Sequence, residues 1–261
     1  MTALDMRLLG QATLTARLVV RTGLHIGAGK DQIEIGGIDS PVVKTPEGDP
    51  YVPGSSIKGK LRFLFEWAFG CINPSGEVWG NQKSVFDKED AILRIFGTAA
   101  KRENWSGGPT RLLVRDAPLN RIWRDSMLDA GYELTEAKTE VVIDRIAGKA
   151  LDRVGARQIE RVPPGAEFDF EAGFRIYELD GDGGQRDLDC LCWLVQALDL
   201  LQQDALGGSG SRGYGRVAFE NLKLSVPGRD PLVLDNMFSG HSFDPERPNA
   251  ELRQAIAAAV V

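Results

Sequence analysis

Asp39 is one of the residues of this chain whose type and setting could do chemistry. It stands in Gly36-Gly-Ile-Asp-Ser-Pro41, a single carboxylate between two glycines and a proline. A carboxylate held in an open loop can help set up the 2′-OH of an RNA for in-line attack on its own phosphate, directly or through a bound divalent cation. An Asx turn is the plainer role, and on these residues alone the commoner one. His25, in Leu24-His-Ile-Gly27, is the second candidate, because histidine is the usual general acid or base near neutral pH. With no second histidine near it in sequence, a structural or RNA-contacting histidine is the plainer alternative. One carboxylate alone makes a weak metal site. Cys71, Cys190 and Cys192, with only His25 and His241 beside them, lack the spacing of a zinc centre and read as free, mostly buried thiols.

Two glycine patterns resemble nucleotide loops and fail on detail. Gly54-Ser-Ser-Ile-Lys-Gly-Lys60 fits G-x-x-x-x-G-K, but Leu61 stands where a metal-binding hydroxyl is needed. Gly208-Ser-Gly-Ser-Arg-Gly213 fits G-x-G-x-x-G, yet it follows a helix and precedes a strand, the reverse of a dinucleotide fold. Both remain small-residue turns where backbone can approach a phosphate closely, and the first opens a helix whose free N–H groups favour anions. Lys58 and Arg62 flank the apolar stripe of that helix on one side and Lys60 on the other, so the three cannot all point one way. A solvated helix face accounts for them equally well.

The elements that must carry these residues follow from periodicity. Residues 12–20 alternate as a half-buried strand, with Ala12, Leu14, Ala16, Leu18 and Val20 on one face. A glycine-rich stretch runs through Gly37, a turn occupies 45–50, and Ser55 and Ser56 offer an N-cap to a helix marked by Ile57, Leu61, Leu64, Phe65 and Ala68. A short helix over 88–96 ends at Gly97, and 111–115 reads as a strand. The second half repeats the order: Phe168, Phe170, Phe174 and Ile176 alternate as a strand, 188–206 is helical, and 216–226 is extended. Two strand–helix–strand units predict an α+β fold, a ferredoxin-like βαββαβ core of the kind RNA-recognition modules use, with 131–164 as an insertion. Within it Arg145, Lys149, Arg153, Arg157 and Arg161 recur every four residues, but Gly148 and Gly155 interrupt a helix, so a mobile cationic hairpin is expected.

An apolar content of 43% over 261 residues supports one substantial core. No apolar run is long enough for a membrane span and residues 1–11 lack the features of a signal peptide, which predicts a cytoplasmic protein. A net charge of −6 counts against a nucleic-acid binder as a whole, although cations gather locally at 58–62 and 145–161.

Several segments together resemble the RAMP superfamily of CRISPR proteins, which include the backbone subunits of type III-A effector complexes. They are Thr22-Gly-Leu-His-Ile-Gly27, Gly36-Gly-Ile-Asp-Ser-Pro-Val-Val-Lys44, Tyr51-Val-Pro-Gly-Ser-Ser-Ile-Lys-Gly-Lys-Leu-Arg62, Ile95-Phe-Gly97, Arg111-Leu-Leu-Val-Arg-Asp-Ala117, Thr139-Glu-Val-Val-Ile-Asp-Arg145, Glu160-Arg-Val-Pro163 and Arg212-Gly-Tyr-Gly215. The resemblance spans about 17–226. It implies a single RAMP domain with 131–164 as an inserted thumb and 227–261 as a tail. It also implies copies stacked head to tail along a guide RNA beside other effector subunits, and regular cleavage of complementary target RNA. By the same likeness Asp39 is the cutting residue, served by a divalent metal, most simply Mg²⁺. Ser55, Ser56, Lys58, Lys60 and Arg62, with His25 and the loop Gly207, Gly208, Ser209 to Arg212, face the guide. Arg145 and Arg157 lie on the thumb that wedges the duplex. Residues 70–87 have no counterpart, and 251–261 is a docking helix or a frayed end. Three other readings stay open: an architectural guide-binding subunit, a guide-processing ribonuclease using His25, and a phosphate-binding enzyme using 54–60.

Overall fold

A computed structural model describes residues 5–29, 38–82, 84–99, 101, 103–151, 156–235, 237–240 and 242–260. Its centre is a five-stranded antiparallel sheet built around β1 (Met6–Val20). On one side β1 pairs with β7 (Glu167–Leu179), which in turn pairs with β3 (Leu112–Val114). On the other it pairs with β8 (Val217–Ser225), followed by β9 (Leu232–Val233). The order is therefore β3-β7-β1-β8-β9. Alternation in β1 sets the register: Ala12 faces Phe174, Leu14 faces Ala172 and Leu18 faces Phe168, all buried. The strand starts at Met6, six residues before the periodic stretch, because β7 continues as its partner out to Leu179.

Two helices cover the buried face. In α1 (Gly54–Ala68), Ile57, Leu61 and Phe65 recur every four residues and are almost fully excluded from solvent. In α4 (Gln185–Gln203), Leu188, Leu191, Leu194, Val195, Leu198 and Leu201 are buried. α4 begins three residues before the expected 188 because Asp182 accepts from the N–H groups of Leu179 and Gly184 and closes the turn leading in. The expected caps of α1 are not formed. Its N-cap is Pro53, and Ser55 and Ser56 lie in the first turn, where the Gly54 N–H donates to Asp116 Oδ1 at 2.7 Å.

The short helix α2 (Ala91–Phe96) starts later than 88, at an N-cap formed by Asp90, and stops at Gly97 as expected. Arg94 and, on the approach to β3, Arg111 are both wholly buried against Asp187 of α4. Within 70–87, which had no assigned place, Trp79 and Phe86 join Leu93 and Trp105 in a small second core. Glu66 accepts from the Trp79 N–H and Arg62 donates to the Trp79 carbonyl, fastening this segment.

Three further elements were not legible: β2 (Tyr51–Val52) paired with β4 (Ala117–Pro118), and α3 (Arg121–Asp129), capped by Asn120, none of whose side chains is fully buried. The insertion folds as an antiparallel hairpin of β5 (Glu136–Val141) and β6 (Ala156–Arg161). Arg153, part of the expected cationic run, and the glycines Gly36 and Gly37 lie outside the described residues. At the C-terminal end α5 (Ala250–Val260) docks through Leu252 and Ile256, with Arg253 paired to Asp189 at 2.7 Å, so the end of the chain is a docked helix. The three cysteines are free thiols: Cys190 and Cys192 are buried and Cys71 half-buried, and burial pushes the Cys192 thiol up to about 12.

Candidate nucleic-acid interface

The loop that carries Asp39 is closed at its base and fastened to the hairpin. Val43 N donates to the Ile26 carbonyl and Ala28 N to the Pro41 carbonyl, so 26–28 and 41–43 run antiparallel and enclose the excursion between them. Asp39 itself is exposed. Its Oδ2 accepts from the Gln158 N–H of β6 at 2.8 Å. The Asx turn weighed from sequence does not form, because the residue two positions on is Pro41, which has no N–H to give. Oδ1 has no hydrogen-bond partner among the described residues.

Glu160 is the hub of the contacts around this loop. Only 4% exposed, its carboxylate accepts from the Val42 N–H at 2.9 Å, the Lys44 ammonium at 2.5 Å and the Thr135 hydroxyl at 2.7 Å. Burial is the strongest single influence and opposes ionisation, but the bonds from Lys44, Thr135 and Val42 together outweigh it and hold the carboxyl below the usual glutamate range. Glu160 opens one of the segments that carry the family resemblance, but its role was not legible there, because its partners lie 25 and more residues away.

The same residue orients His25. The His25 Nδ1 lies 2.7 Å from the Glu160 carbonyl, which can only accept, so Nδ1 carries a proton and donates to it. The carbonyl of His25 in turn accepts from the Gly208 N–H at 2.8 Å. At Gly207, with φ +77°, an added Cβ would sit 2.3 Å from that carbonyl, so the close approach requires glycine. The glycine loop is tied on its far side to the hairpin: Tyr214 donates to Glu140 at 2.8 Å, and Arg212 lies 3.5 Å from the same carboxylate. Ser209 adopts φ +63° and its hydroxyl accepts from Arg212.

Lys60 joins this loop. With Thr22, Asp204, Gly207 and Tyr214 it lines an open groove of about 560 Å³, where its ammonium pairs with Asp204 at 2.8 Å. Lys58 and Arg62 do not share that groove. Lys58 reaches the Leu112 carbonyl at 3.4 Å, where burial, then the charge of Arg62, lowers its pKa. Arg62 is engaged by Glu66 at 2.8 Å and the Gly97 carbonyl at 3.2 Å. Ser55 is exposed and Ser56 half-buried at the start of α1. On the hairpin Arg157 is exposed on β6, and Arg145 sits in the exposed apex, where Asp144 accepts from the Ile146 and Ala147 N–H groups. Those two bonds hold the Asp144 carboxyl below its usual range. The apex is apolar as well as cationic, with Val141, Val142, Ile143 and a fully exposed Ile146.

No three His, Cys, Asp or Glu side chains come together as a metal cage among the described residues. Asp39 keeps one carboxylate oxygen without a hydrogen-bond partner among the described residues. No described helix is long and apolar enough to cross a membrane.

An antiparallel α+β core thus carries an acidic loop fixed to a projecting hairpin and a glycine-lined groove that holds Lys60. The chain belongs to the RAMP superfamily, whose family model matches residues 17–218. Among similar proteins, the CRISPR system Cms endoribonuclease Csm3 of Methanocaldococcus jannaschii is 36% identical over 84% of this chain and 83% of its own. The proteins of the same name from Methanothermobacter thermautotrophicus and Streptococcus thermophilus are 38% and 40% identical, each over 81% of this chain and over 84% and 88% of their own. A chain of a Csm3–Csm4 subcomplex, from a type III-A CRISPR–Cas interference complex, superposes with a TM-score of 0.53. It covers 97% of both chains at 23% identity, a likeness of fold.

Proposed function

We propose that this chain is an endoribonuclease and the guide-RNA-binding backbone subunit of a type III-A CRISPR effector, cutting complementary target RNA at regular intervals through Asp39. The observation that carries the proposal is the Asp39 loop: an exposed carboxylate, fixed through one oxygen and open at the other, in a chain similar to named endoribonucleases over most of its length. The core reads as ferredoxin-like βαββαβ, supported by the order β3-β7-β1-β8 and by α1 and α4, each crossing between two strands of the sheet. The whole is one RAMP domain, with 131–164 as its thumb and 227–261 as a tail that folds back through α5.

The guide lies along the groove of Lys60 and the loop 207–212, where the glycines let phosphates approach main-chain N–H groups and His25 Nε2 accepts from a ribose hydroxyl. Ser55 and Ser56 present the first turn of α1 to the same strand. Arg62 and Lys58 support the fold beneath it, given their partners. Arg145 and Arg157 carry the thumb against the duplex, and its exposed apolar apex enters the stack. At the target, Asp39 draws the proton from the 2′-OH. The 2′-oxygen then attacks the adjacent phosphorus, and the 5′-oxygen leaves and takes a proton from water, yielding a 2′,3′-cyclic phosphate and a 5′-hydroxyl. A divalent cation bound there supplies charge neutralisation at the phosphoryl oxygens. Further copies of the chain, head to tail, repeat the site along the duplex in the cytoplasm.

The test is cleavage of a complementary target by the guide-loaded complex with Mg²⁺ and with EDTA. Evenly spaced, metal-dependent products support the reading. Target binding with no such products leaves an architectural subunit, and cutting of guide precursor by the free protein, lost in His25→Ala, indicates a processing enzyme.

A further inference from the structure

We propose that the base of the β5–β6 hairpin is a positioning element for Asp39, acting through the main-chain N–H of Gln158. This rests on the reading of Asp39 as the cutting residue. Ser40 bridges the outer edge of β6, with Asp39 beside it. Asp39 Oδ2 accepts from Gln158 N at 2.8 Å, and the Ser40 carbonyl accepts from Glu160 N at 3.0 Å. Ser40 and Ile159 form a parallel bridge, and Val42 N donates to Glu160 Oε2 at 2.9 Å.

In an antiparallel ladder, alternate residues turn their N–H groups to the partner strand and away from it. Gln158 and Glu160, two residues apart on β6, both direct theirs to the Asp39 segment and away from β5. An exposed aspartate would otherwise sample several rotamers. The Gln158 N–H fixes one of its oxygens and leaves the other presented in a defined direction. Placement of this kind is a kinetic device: about 1 Å of misplacement costs on the order of 100-fold in rate. The hairpin that projects from the core therefore also aims the carboxylate at its foot.

Because that N–H takes no part in the β5 ladder, proline at 158 removes the bond to Asp39 and no ladder bond, and the extended residue before it tolerates proline. The experiment compares Gln158→Pro, Gln158→Ala and Asp39→Ala in the guide-loaded complex, reading single-turnover cleavage at saturating target alongside target affinity. Gln158→Ala, which keeps the N–H, should cut at the native rate. Gln158→Pro should give the same product spacing about 10- to 100-fold more slowly, with target affinity within about twofold. Native-rate cutting by Gln158→Pro, or equal slowing by both Gln158 variants, overturns the proposal. If Asp39→Ala cuts normally, the reading of Asp39 fails; if it is dead while Gln158→Pro is native, only the positioning fails. Should Gln158→Pro not assemble, amide exchange reads the same bond from its other end. The Gln158 N–H should exchange faster in Asp39→Ala than in the native chain, and equal rates overturn the proposal.

Discussion

Replacing Asp187 by alanine should be among the most destabilising single changes in this chain, although it touches no RNA-facing residue. The Asp187 carboxylate is fully buried and holds Arg94 at 2.6 Å, Arg111 at 2.9 Å and the Tyr177 N–H at 2.9 Å. Both guanidiniums are themselves 0% exposed, and one NH2 group of each has no hydrogen-bond partner among the described residues, so removing the carboxylate leaves buried charge behind. Breaking a buried ion pair from one side costs about 3–5 kcal/mol, against a total stability on the order of 5–15 kcal/mol for a domain. With a urea slope of about 3 kcal/mol per M, the unfolding midpoint should fall by roughly 1 M or more. Asp187→Asn keeps an acceptor for Tyr177 and loses only the charge, so it should fall less. Arg94→Met leaves a balanced Arg111–Asp187 pair and should cost less than Asp187→Ala. Equilibrium urea unfolding of the purified variants, followed by circular dichroism, measures all three. A shift below about 0.3 M for Asp187→Ala would refute the view of this triad as an uncompensated buried charge cluster.

Glu160 has its carboxyl held below the usual range, so its stabilisation is complete above the ordinary glutamate value of about 4.3 and is lost as pH falls through the lower folded value. Glu160→Gln should therefore melt below the native chain at pH 7, and the gap should close as the pH is taken from about 5 towards 3; a gap independent of pH contradicts this. Lys60→Ala should weaken guide binding and reduce the salt slope by about one, with the melting temperature unchanged. Arg62→Ala should lower the melting temperature through the loss of its bonds to Glu66 and the Gly97 carbonyl. Filter binding across a salt series, paired with thermal melts, separates the two.

What could be read ahead of the structure was whatever short-range pattern encodes. The alternation of Leu14 and Leu18, the four-residue stripe of Ile57, Leu61 and Phe65, and the stop at Gly97 each lie within one element and report on one buried face. Asp39 and His25 stood out because of their glycine-rich settings. The linkages between them did not. Glu160 meets Val42 and Lys44 across more than a hundred residues of chain, and Arg62 proved to be a fold-holding arginine because Trp79 and Gly97 come back to it. The spacing of Lys58, Lys60 and Arg62 announced that they diverge, yet only the packed neighbours decide which one faces the groove. α3 escaped because it is only nine residues long and fully buries none of its apolar residues, Trp123 being half-buried at the edge of the core.

The central claim is that the Asp39 carboxylate cuts the target. Its most direct test is cleavage of a complementary RNA by guide-loaded complexes carrying native chain or Asp39→Ala, in Mg²⁺, with target affinity measured on the same preparations. Loss of the regularly spaced products with affinity retained is the predicted result. Undiminished products from Asp39→Ala would contradict it and move the chemistry to another residue.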